Sequence, residues 1–241
     1  MFRTLPSRNL LENLRPFRLP WHIEMLTGGP EMSETQGERW KFLEEVVFAS
    51  ESRKEALVGR GSGEVYKTDI VSEQDAVRYE IERALLDIAA RYPSSTVDAK
   101  VEEDAHVENI IKLAKDVSQE VGKYLVGDKG LTVGRAQKAL NLYLKYLWCA
   151  GRKLEPPHCP FDGKVISKLN KLRKLPLGFE SWTSIADKDK YCELVKEARD
   201  RMIIRTENQD VKPESLAVWE LREWNSDALR PSKLYWLGRR R

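Results

Sequence analysis

From about residue 72 onward the chain alternates stretches of apolar residues three and four apart with short breaks rich in Gly and Pro, a helical rather than a strand period. Ser72, with Glu73 and Asp75 behind it, predicts a helix start. Ile81, Leu85, Leu86 and Ile88 carry that helix to about residue 91, and Pro93 stops it. A second helix is predicted over about 101–126, with Ile110, Ile111, Leu113, Ala114, Val117 and Val121 as its buried stripe. Its Glu102-Glu103-Asp104 start complements the positive end of the helix dipole. Gly127, Gly130 and Gly134 punctuate a tight hairpin, and a strong helix follows over about 132–150, with Leu140, Leu144 and Leu147 as its ridge. Pro156, Pro157 and Pro160 force an extended stretch. Further helices are predicted from Phe161-Asp162-Gly163 to before Pro176, over 187–204 and over 213–228. No strand series and no internal repeat is evident, so the expected class is all-α.

Upstream, residues 1–37 hold no period and read as an irregular arm. Trp40, Leu43, Val47 and Phe48 predict a helix over about 38–57, and Gly59, Gly61 and Gly63 make a linker. The arm and helix of 1–63 are expected to pack with 176–241. Residues 64–175 form the helical domain that carries the hairpin, about 126–134.

Apolar residues are 41% of the 241, enough for a real core, and charged residues are 33%, enough to solvate the surface. No apolar run approaches the roughly 18–20 residues of a membrane helix, which points to a soluble protein; its cysteines suit the cytoplasm, and a monomer is expected. The net charge of +3 says little, but its distribution says more: Lys164–Lys174 holds five basic residues and no acidic one, and the chain ends Arg239-Arg240-Arg241. Such patches suit phosphates; the plainer reading is a solvated helix face and a solubilising tail. Cys149, Cys159 and Cys192 are odd in number and irregular in spacing, as expected of reduced thiols. Cys149, His158 and Cys159 lack the paired spacing of a zinc site, so neither metal nor cofactor is expected.

Two places carry chemistry. On the helix after the hairpin, Lys138, Asn141, Leu142 and Lys145 share one face. If that face lines a cleft, mutual repulsion and desolvation lower the amine pKa and free a lone pair for attack. After the prolines, Asp162 stands where the chain turns into a helix. An N-cap is the first explanation there, and capping also fixes a carboxylate that has other work.

A hairpin between two helices, a Lys early in the second helix (Gln137-Lys138-Ala139) and an Asp after a Pro-rich connection (Cys159-Pro160-Phe161-Asp162-Gly163-Lys164-Val165) together resemble the helix-hairpin-helix DNA glycosylases. Among their branches the chain looks most like archaeal 8-oxoguanine DNA glycosylases, over about residues 107–175. Here the hairpin departs from the commoner Leu-Pro-Gly-Val-Gly form, and Gly134 lies four residues before Lys138. The resemblance implies two helical layers with a cleft between them, and double-stranded DNA with a modified base as partner. Lys138 is the implied nucleophile on the sugar C1′, with Lys145 as fallback, and Asp162 assists. The DNA contacts expected are Gly130, Val133, Gly134, Arg135, Lys164, Lys168 and Lys171. Gln137, Asn141, Lys145, Trp148, His158 and Trp182 are candidates for the base pocket, although Trp at helical spacing is more often core. Similar glycosylases act in DNA repair or remove hypermodified, for example glucosylated, cytosines in antiphage defence, and a Lys nucleophile brings AP lyase activity within reach. The alternatives are a non-catalytic helix-hairpin-helix DNA-binding module and an all-α interaction protein.

Overall fold

The computed structural model describes residues 65–94, 99–126, 130–149, 151–172, 175, 179, 182–207 and 215–228. The expected N-terminal arm, the 38–57 helix, the linker, the hairpin tip at 127–129, Arg173, Lys174 and the terminal arginines lie outside them. The described residues are helical. Their only extended pairings are isolated bridges, Tyr66 with Leu125 and Ser94 with Lys153.

Helix α1 runs Val71–Ala90 and buries Val77, Ile81, Leu85 and Ile88, one face at the helical period. Ser72 is not its cap. The helix begins one residue earlier, behind extended Ile70, because the Thr68 hydroxyl accepts the Ile70 N–H and donates to the Glu73 carboxylate. Helix α2, Glu103–Val121, is shorter than its pattern predicts and closes in a 3-10 turn, Gly122–Tyr124. Its buried stripe includes His106 among Ile110, Leu113 and Val117.

Two glycines fix the way into the next helix. Gly130 has φ of 70°, in the left-handed region, and a Cβ there would meet the Ser118 side chain, whose Oγ takes the Leu131 N–H at 2.9 Å. Helix α3, Val133–Cys149, starts against a 3-10 turn, Trp182–Ser184. Thr132 Oγ1 accepts the Arg135 N–H and donates to the Thr183 carbonyl at 2.7 Å, while the Gly134 N–H reaches the Ile185 carbonyl at 2.9 Å. A Cβ on Gly134 would run into the Trp182 carbonyl.

Helices α4 (Gly163–Leu172), α5 (Lys188–Glu207) and α6 (Leu216–Ala228) complete the described chain. Fourteen of the 17 residues of α3 are buried, so this helix is enclosed on nearly every side by α1, α2, α5 and the Trp182 turn. Helix α6 covers the end of α3, with Ala217 and Leu221 against Trp148 and Cys149. Buried residues on both sides of residue 175, from Val165 to Leu194 and Trp219, belong to one core. No described helix is long and apolar enough to cross a membrane.

Replacing Gly134 with Ala forces backbone apart at the α3–Trp182 contact. It should lower stability by about 1–3 kcal/mol, the usual range for overpacking, and urea unfolding measures it.

Candidate active site

Asp162 ends the extended stretch and caps α4. Its Oδ1 accepts the N–H groups of Lys164 at 2.9 Å and Val165 at 3.0 Å. That leaves Oδ2 facing α3, where it lies 3.6 Å from Lys138 Nζ. The two side chains are 12% and 22% exposed, so the contact is largely shielded but reachable. Residues 24 apart in the sequence thus meet, and the cap and the ion pair use different oxygens of one carboxylate.

Burial lowers the Lys138 pKa, against the opposing pull of Asp162, and Lys164 and Lys145 add repulsion in the same downward direction. Trp182, itself buried, presents its ring face to Nζ at 4.9 Å. A ring face favours a cation, so the amine sits between a group that discharges it, the dry interior, and two that hold its charge.

Lys145 stands differently. Its Nζ lies 3.1 Å from both carboxylate oxygens of Glu220 on α6, in a buried pair. Burial alone would depress its pKa; Glu220 overrides burial and raises it. An amine held protonated by a buried partner is a poor nucleophile, so the fallback role is not supported by its surroundings. Lys168 is likewise engaged, donating to the Glu223 carbonyl and carboxylate at 2.9 and 3.1 Å.

Gln137 and Asn141 are fully buried and face protein rather than a pocket. Gln137 Nε2 donates to the Phe161 carbonyl at 2.6 Å and its Oε1 accepts the Phe161 N–H at 3.1 Å. Asn141 Nδ2 donates to Gln137 Oε1 at 3.2 Å and to the Tyr191 hydroxyl at 3.3 Å, and its Oδ1 faces His106 Nε2 at 2.8 Å. Tyr191 reaches His158 Nδ1 at 2.8 Å; Tyr92 reaches His106 Nδ1 at 2.6 Å and accepts from Asn109 at 3.3 Å. Burial disfavours the charged form of both imidazoles. Asn141 Nδ2 donates elsewhere, so its Oδ1 accepts from His106 Nε2. His158 Nε2 lies 3.4 Å from Glu103 Oε1, outside hydrogen-bond geometry, while Arg199 grips both Glu103 oxygens at 2.6 and 2.7 Å.

His158 lines a cavity of about 250 Å3 between α2 and α5, together with Glu103, Val107, Cys192, Val195 and Arg199. None of Lys138, Asp162 and Trp182 lines it. Trp148 packs on α6 and is core. Among the hairpin residues expected to touch DNA, Gly130, Val133, Gly134 and Arg135 are buried, and the Gly134 amide is taken by Ile185. Lys164 is half-buried and Lys171 exposed, both on α4.

Of the expected pocket, Trp182 alone joins Lys138 and Asp162. His106, Tyr191 and Glu220 were not singled out from sequence, although two left a trace: His106 interrupts the α2 stripe four residues before Ile110, and Glu220 lies between Trp219 and Leu221. No family model matches the chain, and no curated protein or solved structure matches it.

Burial holds the His106 pKa down at about 3, with His158 adding to the effect, and it lowers that of His158 too. The unfolded chain then binds more protons than the folded one below the ordinary histidine value of 6.5. Stability is full above that value and should fall as pH drops, by on the order of 2 kcal/mol from His106 between about pH 7 and pH 5. The His158 ring edge at 3.4 Å and the Arg199 grip hold the Glu103 carboxyl below its ordinary 4.5, so its share is lost only below that value. Urea unfolding at several pH values checks this; a flat profile from neutrality to mild acid would contradict the neutral histidines.

Proposed function

We propose that the chain is a DNA glycosylase of helix-hairpin-helix type, acting as a monomer without metal or cofactor. It extrudes a modified nucleotide from double-stranded DNA and excises the base, either a damaged base such as 8-oxoguanine or a hypermodified cytosine of phage DNA. The observation that carries this reading is the contact between Lys138 and the one Asp162 oxygen that the helix cap leaves available.

In this mechanism the Lys138 amine forms a bond to the sugar C1′ as the glycosidic C–N bond breaks. The base leaves with the bonding electrons and takes up a proton. Asp162 Oδ2 stabilises positive charge growing on the sugar and accepts a proton from the attacking amine. The C1′–O4′ bond of this adduct then breaks as O4′ takes up a proton, which gives an iminium cation that Asp162 and the Trp182 face suit as they suit the ammonium. Loss of a proton from C2′ then permits strand cleavage; attack by water in place of Lys138 would leave an intact abasic site. Lys164 and Lys171 supply charge for the backbone.

A module that only holds phosphates is less well supported, because it gives the Lys138–Asp162 contact no purpose. The hairpin amides of Leu131 and Gly134, which either reading would aim at phosphates, are taken by Ser118 and Ile185, so DNA contact falls to the α4 lysines in both.

Lys138→Gln and Asp162→Asn should each lower excision by about 10²–10⁴-fold while leaving the fold intact, because Asn retains the helix cap. The assay is single-turnover excision on DNA carrying a panel of damaged and hypermodified bases. Full activity in either variant rejects the assignment, and borohydride trapping of a protein–DNA adduct separates Schiff-base from hydrolytic chemistry. In binding titrations, Lys171→Ala should reduce the slope of log K against log salt by about 0.9. Lys168→Ala should leave the slope unchanged, since Glu223 already neutralises Lys168.

A further inference from the structure

We propose that Gln137 is a positioning residue: by clamping the Phe161 peptide it sets the distance between Asp162 and Lys138. The consequence for catalysis rests on the reading of those two residues as the reacting pair; the geometry does not.

Gln137 immediately precedes Lys138 on α3, and Phe161 immediately precedes Asp162. The two hydrogen bonds between Gln137 and Phe161 join the segments one residue before each member of the pair. The cap fixes Asp162 to α4 alone, and α4 packs chiefly on α5 rather than on α3. The clamp therefore ties the carboxylate to the helix that carries the amine. Phe161 is fully buried, so water does not stand in for either bond.

The direction of the clamp is also set. Asn141 donates to Gln137 Oε1, and Asn141 is in turn held by His106 and Tyr191. With Oε1 accepting from both Asn141 and Phe161, only Nε2 is left to donate to the Phe161 carbonyl. A carboxylate of the same shape offers that carbonyl no donor. A methionine of similar volume offers neither bond.

The test compares Gln137→Met and Gln137→Glu with the native chain. Lys138 is followed by NMR of 13C-dimethylated lysines, its signal assigned by its loss in Lys138→Arg. In Gln137→Met the carboxylate recedes while burial persists, so Lys138 should titrate at lower pH than in the native chain. Excision should slow by on the order of 100-fold, the cost of about 1 Å of misplacement, with the Kd for DNA unchanged. An unmoved Lys138 titration in a variant that melts like the native chain overturns the proposal. If Gln137→Met does not fold, Gln137→Glu decides. Its introduced carboxyl donates to Phe161 only when protonated, so its rate relative to the native chain should climb as pH falls. A ratio flat with pH overturns the proposal. A moved titration in a chain that excises no base keeps the positioning role and removes the glycosylase reading. Excision lost in Lys138→Gln but retained in Gln137→Met, with an unmoved titration, does the reverse.

Discussion

Helix α3 is buried along most of its length among the described residues, and that burial obliges its interior polar side chains to find partners on other elements. An unpaired buried amide or ammonium costs more than a typical hydrogen bond contributes. Gln137 takes the Phe161 peptide, Asn141 takes His106 and Tyr191, Lys145 takes Glu220, and Lys138 meets Asp162. Four positions on one helix thus specify where α2, α5, α6 and the start of α4 must lie. Apolar contacts supply the bulk of the driving force; these polar pairs select one arrangement among the ways the described helices might stack.

That dual use explains what was legible in the sequence. Within the described residues the helices lie near the limits the sequence predicts, α2 excepted, because amphipathic periods and proline stops are local signals. The Lys138–Asp162 contact was reachable through the resemblance, which matches a Lys early in an apolar helix and an Asp after a Pro-rich connection; position alone gives Asp162 only a helix cap. The pocket was harder. Period analysis assigns a polar stripe to solvent or to a cleft, and on a helix enclosed on nearly every side neither holds for Gln137, Asn141 or Lys145. Gln137, Asn141 and Lys145 look like pocket walls in one dimension and prove to be internal fasteners in three. The Trp182 turn was equally opaque as an element, since its place depends on a glycine 48 positions earlier having no side chain.

The same constraint sets the character of the candidate site. A lysine in a dry setting tends to lose its proton, and one beside a carboxylate tends to keep it. Lys138 has both influences, whereas Lys145, with a carboxylate gripping it from two oxygens, has one outcome. Two amines seven residues apart on one helix are thereby differentiated by their partners, one toward reactivity and one toward scaffolding.

The interior network has a further consequence for how charge moves. Hydroxyls and imidazoles pass protons by hopping, but a carboxamide does not, because surrendering an amide hydrogen leaves an anion far too basic to persist. Asn141 and Gln137 stand in series between the two imidazoles and the Phe161 peptide, so the chain conducts nothing even though it is continuous. It is an insulator. Along this route Lys138 is sealed off from the histidines, and Asp162 is the titratable group it meets.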